Sequence, residues 1–319
     1  MERKIQQHYV WESYLRAWCF NSKQLYCYRI LDEKIFPINP EKTAKEREFY
    51  RLKEITPKDE YIIYNLFIKG YHNEEVERLN LGWVNTFKQI FKIRDDLKSK
   101  GVNNVEIEKE IETIIINMEE DYHTQLEQKA LPFLEALRNE DTNLFSDEEG
   151  ILDFCLFLCT QYFRTKRMKM SVLRSTEEIA KTMGIDVERM WNILSHIFAT
   201  NMAYSLIMRE NFKWTLLANN DGIPFISGDQ PIINSLCDYS VDKPPESLEL
   251  YYPVSPNKAL LISDTNYLQE PSIVKINDTE INKYNSLILG ACEEQIYSVK
   301  KETLEELMET LKRSLPGKN

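Results

Sequence analysis

A chain of 319 residues that is 43% hydrophobic and 29% charged has enough apolar material for a sizeable core and too much for a disordered polypeptide. Nine glycines are too few for glycine-rich nucleotide-binding folds or for an all-β sandwich with many tight turns, so mostly helical structure is expected. A net charge of −11 disfavours a broad electrostatic grip on DNA or RNA, which leaves a local basic patch at Arg164, Lys166, Arg167, Lys169 and Arg174 as the candidate nucleic-acid contact.

The six cysteines are Cys19, Cys27, Cys155, Cys159, Cys237 and Cys292, and no two have the two-residue gap of a zinc knuckle. Cys155 and Cys159 sit one helical turn apart inside an apolar run, as small core residues do. A reducing compartment is expected. The start, MERKIQQHYVWESY, lacks the apolar centre of a signal peptide, and no apolar run approaches the roughly 20 residues of a membrane span. A cytoplasmic protein without a membrane segment is predicted.

In chain order, QQHYVWESYLRAWCF places Trp11, Tyr14, Leu15 and Trp18 at helical spacing, with Glu12 and Arg16 paired on the other side. His8 stands just before this short helix, as a base, acid or metal ligand or as a packed structural ring. KQLYCYRI and KIFPINP flank LDE as a hairpin, with Tyr26, Tyr28 and Ile30 on one face. In TAKEREFYRL, Glu46 and Glu48 converge only if the segment is extended.

From Thr56, an N-cap ahead of Pro57, helices are predicted near 57–70, 73–98, 104–139, 147–170, 172–183 and 186–210. Pro132 should kink or break the third. Glu119 and His123, one turn apart, read as a solvated pair in preference to metal ligands, and His196 reads as a core histidine. His72 lies in a loop. The stretch GILDFCLFLCTQYFRTKRMKM is apolar on every side of its helical wheel until Gln161 and Arg164, which share a stripe with Phe154, Phe157, Leu158 and Met168. A buried Arg164 cannot shed its proton, so something acidic should face it.

After Asn211, FKWTLLANN, IPFISGDQPIINSL, LELYYPVSP and KALLISD read as an antiparallel sheet, with YSVDKPPES a surface loop. Asp229 falls where Pro231 breaks the ladder and Gly228 permits an unusual backbone angle, a placement that suits either a site carboxylate or an Asx turn. A helix over DTEINKYNSLILGACEE, a strand QIYSVK and an amphipathic helix TLEELMETLKRSL follow. The prediction is a single α+β domain over 1–319: N-terminal helix and hairpin (1–55), a large central helical region (56–210), and an antiparallel sheet with C-terminal helices (211–319).

The segments HYVWESYLRAWCFN, KQLYCYRILDEKIFPINPEKTAKEREFY, TQYFRTKRM, PFISGDQPII, YYPVSP and EINKYNSLI occur in an order that resembles the domain of unknown function 4238 family. That pattern has a His-Tyr-Val-Pro start, an acidic-aromatic end to the first β region, a glutamine and arginine on a central helix, a Ser-Asp-x-Pro turn and a late asparagine helix. The likeness covers nearly the whole chain. Here Trp11 stands where the family commonly has proline, and Gly228 separates Ser227 from Asp229. The resemblance implies His8, Arg16, Glu46 or Glu48, Tyr50, Gln161, Arg164, Asp229, Pro231 and Asn285 as family positions, and no reaction.

Two functions are compatible with these residues. In the first, His8, Glu46, Glu48, Gln161, Arg164 and Asp229 form the site of a phosphodiester hydrolase of nuclease type. His8, or a water on a divalent metal held by Asp229 and a glutamate, would attack; Arg164 would stabilise the phosphorane and Gln161 would orient. A role in bacterial defence against phage goes with it by association with uncharacterised families of this kind. In the second, the same residues are a buried structural network of a binding or sensing module with a protein partner, its working surface near the YSVDKPPES loop. A water-filled pocket above His8 and Arg164 favours the enzyme; a sealed network with satisfied donors favours the module.

Overall fold

The structure is a computed structural model that describes residues 2–70, 73–143, 148–208, 212–219, 222–238, 247–264 and 272–314. Strand β1 (Gln6–His8) opens the chain and pairs antiparallel with β4 (Lys45–Arg47), setting Gln7 opposite Glu46. The predicted first helix therefore starts late, as α1 (Glu12–Leu15) running into a 3-10 turn at Arg16–Trp18. Its aromatics do bury, and the Trp18 indole N–H donates to the Phe225 carbonyl at 2.9 Å. The hairpin forms as β2 (Leu25–Arg29) and β3 (Lys34–Ile38), with Cys27 opposite Phe36.

Thr56 caps α2 (Pro57–Ile63) in a reciprocal capping box with Asp59, after which Tyr64–Ile68 forms a π-helical turn. Asn73 and Asn104 cap α3 (Glu74–Ser99) and α4 (Val105–Arg138). Pro132 does not break α4, which runs through it as one helix. The helix expected over 147–170 instead ends as α5 (Glu148–Phe163), and α6 (Lys166–Met183) starts from Thr165, whose hydroxyl accepts from the Met168 amide. A local cap thus overrides the continuous helical pattern. Arg164 lies at the joint. α7 (Val187–Met208) completes the helical region.

The β segments after residue 211 divide between two sheets. Strands β5 (Lys213–Ala218), β7 (Ile233–Asn234), β8 (Glu249–Ser255), β9 (Lys258–Ser263) and β10 (Ser272–Lys275) form one in the order β10-β5-β9-β8-β7, antiparallel except for the parallel pair β10 and β5. Strand β6 (Ser227–Gly228) and β11 (Gln295–Ser298) extend the N-terminal hairpin into a second sheet, β3-β2-β11-β6. ISGDQPI is therefore a crossing between sheets and not one strand. Helix α8 (Asp278–Ala291) precedes β11 and α9 (Lys301–Ser314) follows it. The YSVDKPPES loop, apart from Ser247, and His72 lie outside the described residues.

This is an α+β fold with a central helical region. One hydrophobic cluster gathers Tyr9, Tyr14 and Trp18 with Phe154, Phe157 and the β8–β9 residues Tyr252 and Leu260. A second lies under α8 and α9 on the other faces of both sheets, and a third joins α2, α3, α4 and α7. Cys155 and Cys159 are fully buried in the first, as expected of small core residues. The expected face of Tyr26, Tyr28 and Ile30 packs into the second, while Leu25 and Cys27 point into the first. Alternation along β2 thus divides its side chains between two cores.

Candidate polar site at the helix joint

Arg164 is 4% exposed and is met by acid, as its burial requires. Its Nη2 donates to Glu127 Oε1 at 2.6 Å and to Gln161 Oε1 at 2.5 Å, and its Nε donates to the same Gln161 oxygen at 3.1 Å. Gln161 donates its own amide to the Tyr9 carbonyl at 2.9 Å, also within the interior. The central helix thereby holds the chain immediately after β1.

Tyr50 ties the same region from another side. Its backbone N–H donates to Gln7 Oε1 at 2.7 Å and its hydroxyl to the His8 carbonyl at 3.2 Å. Gln7 in turn donates to the Ile116 carbonyl of α4 at 2.6 Å. The His8 ring donates from Nε2 to the Glu41 carbonyl at 3.1 Å, which leaves Nδ1 as the acceptor. Burial lowers its pKa, and the nearby positive charges of Lys45 and Arg164 add to that.

Sequence reasoning missed the acidic half of this site, Glu120 and Glu127 of α4. Burial raises both carboxyls against the opposing pull of Arg164, Glu120 to about 7. Glu120 also lies against the backbone of His8 and keeps Oε2 buried without a hydrogen-bond partner. The two residues stand seven apart, two helical turns, so they share a face with His123 between them. That spacing was the available signal.

Glu119 and His123 are not a solvated pair: both are 3% exposed and each faces elsewhere. Glu119 accepts from His196 Nε2 at 2.8 Å and from Asn192 Nδ2 at 2.6 Å, whereas His123 packs edge-on to Tyr50 at 4.6 Å. His196 is a core histidine, its ring stacked on Trp83 at 4.3 Å.

The remaining candidates do not gather at Arg164. Glu46 leaves β4 toward Lys166 at 3.0 Å, and Glu48, in a left-handed backbone conformation at φ 50°, pairs with Arg51 at 3.2 Å. The turn of the chain after β4 prevents the convergence expected of an extended segment. Asp229 is 1% exposed and is neither an Asx turn nor an open carboxylate. Its oxygens accept the backbone amides of Glu293, Glu294 and Gln295 at 2.9, 2.6 and 3.1 Å. Burial pushes it up to about 6 against those three donors.

Gly228 is required by close approach and not by backbone angle. A Cβ there would stand 2.1 Å from Cys292 Sγ. Asn285, another family position, bridges the Ile226 amide and the Pro224 carbonyl at 3.0 Å each, and Arg16 pairs on the surface with Glu12 at 2.5 Å.

Every member of the basic patch meets a carboxylate. Besides the Arg164–Glu127 pair, Lys166 lies 3.0 Å from Glu46 and 2.7 Å from Glu294, and Lys169 lies 3.2 Å from Glu188. Arg167 and Arg174 share Glu293 at 3.4 and 3.3 Å. Among the described residues, no three His, Cys, Asp or Glu side chains are grouped to hold a metal ion, and no helix is long and apolar enough to cross a membrane.

No curated protein and no solved structure matches this chain. The model of one family, described as protein of unknown function (DUF4238), matches residues 6–302, a span that includes His8, Tyr50, Gln161, Arg164, Asp229 and Asn285. The chain belongs to the DUF4238 family.

Proposed function

We propose that the chain is a binding or sensing module in which the Arg164 network is structural and not catalytic. The observation that carries this reading is the use of its polar groups. Arg164, 4% exposed, directs its guanidinium to Glu127 and Gln161 inside the protein, and Asp229 directs both oxygens to backbone amides. An arginine so neutralised has little to offer a phosphorane, and an aspartate so engaged has little to offer a metal. The six free cysteines suit a cytoplasmic setting.

Replacing Arg164 distinguishes this from catalysis. In the module, Arg164→Ala strands Glu127 and lowers stability by roughly 3–5 kcal/mol, read as a shift of the urea midpoint. A variant as stable as the native chain that had lost a measurable phosphodiesterase activity would overturn the reading.

The second reading, a phosphodiester hydrolase in bacterial defence against phage, is favoured by one observation. Glu120, beside His8 and Arg164, is a carboxyl raised to about 7 with a free oxygen, as a proton-transfer group should be. Its nucleic-acid partner would have to displace the carboxylates that already face Lys166, Arg167, Lys169 and Arg174, so binding should weaken steeply with salt. Hydrolysis of single- and double-stranded DNA and RNA, with and without magnesium or manganese, tests it. Activity lost in Glu120→Gln with folding intact would establish it.

A further inference from the structure

Two side chains of α4 near Tyr50 carry buried polar atoms with no partner: Glu120 Oε2 and both ring nitrogens of His123. Buried polar groups are nearly always paired, so these neighbouring orphans call for an occupant. His123 is the extreme case, 3% exposed, with its ring 4.6 Å from Tyr50 and 5.8 Å from His196.

The protein groups that could serve these atoms are already engaged. Glu119 takes His196 and Asn192, Glu127 takes Arg164, and the Tyr50 hydroxyl donates to His8. Glu120 and His123 are three apart on α4 and therefore neighbours on one face, whereas the Tyr122 and Thr160 hydroxyls pair with each other. A neutral imidazole has one donor and one acceptor, and the Glu120 oxygen accepts when ionised and donates when protonated. The occupant must accept and donate in turn. It should also be uncharged, because Arg164 and Glu127 already balance each other.

We propose that these two side chains enclose an internal hydration site, in which bound water bridges Glu120 to His123. Water fits the mixed donors and acceptors, and a buried water ordinarily makes about three hydrogen bonds to groups left unpaired by the protein. Burial lowers the His123 pKa, and the positive charge of Arg164 and the neighbouring His196 add to that, so the ring that meets the water is neutral. The bridge also explains how α4 and the Tyr50 segment pack against each other without stranding polar atoms. This inference stands whether the network is structural or catalytic.

Oxygen-17 magnetic relaxation dispersion on the full chain tests it, because long-lived internal water adds amplitude. The native protein should show greater amplitude than His123→Phe, and the variant should lose thermal stability because Glu120 Oε2 is then left unserved. Equal amplitudes, or a thermal midpoint raised by His123→Phe, would overturn the site: in a dry site the apolar ring removes two unpaired nitrogens and relieves their burial. Should His123→Phe fail to fold, Glu120→Leu carries the same comparison of amplitudes, with a loss expected and no change overturning the site.

Discussion

Glu120 shows how one buried carboxyl links structure to pH. Its pKa rises from 4.5 to about 7 in the fold because burial outweighs the attraction of Arg164. The folded chain therefore holds a proton that the unfolded chain releases. Stability from this group is fully present below the unfolded pKa and is lost as pH rises toward 7. With partial solvent access discounted, the loss is roughly 2–3 kcal/mol by pH 8. Glu120→Gln, which cannot ionise, should be more stable than the native chain at pH 8 and should lack that part of the decline between pH 5 and 8. Urea denaturation at both pH values checks this; identical pH dependence of the two proteins would contradict it.

At the scale of elements, short local signals outweigh long periodic ones. The α5–α6 boundary depends on Thr165 as a cap and not on the apolar pattern, which continues to Met168 and Met170. Helix α4 shows the opposite balance, continuing as one helix through Pro132 with Phe133, Leu134 and Leu137 buried after it. The single missing amide bond is offset by tertiary packing. Where β6 meets the end of α8, a glycine lets the strand approach Cys292. Gly228→Ala should cost about 1–3 kcal/mol by forcing these elements apart, seen as a lowered thermal midpoint. A midpoint unchanged from native would mean that Cys292 moves aside freely.

For the molecule as a whole, the N-terminal hairpin and the C-terminal segments share one sheet through β2 and β11, and the Arg164 network ties the first strand to the helical region. Burial across these layers separates the thiols into two groups. Cys27, Cys155, Cys159 and Cys292 are buried, while Cys19 and Cys237 are partly exposed. A thiol reagent should label Cys19 and Cys237 first in the native chain and the other four only on unfolding, as mass spectrometry of digested protein would show. Early labelling of Cys155 or Cys159 would mean that the first core opens readily.

The helical middle, the hairpin and the burial of Arg164 were legible from residue order, because periodicity, caps and an apolar surround act over a few turns of chain. The sequence by itself thus determined that a charged group would be enclosed and that an acid must answer it. Only the tertiary structure decided which acid: Glu127 of α4, with Glu120 beside it, and not Glu46, Glu48 or Asp229. That choice depends on which helix faces cross and where the chain turns after β4 and between sheets. Those relations are set by packing between residues far apart in sequence, to which no local pattern is sensitive.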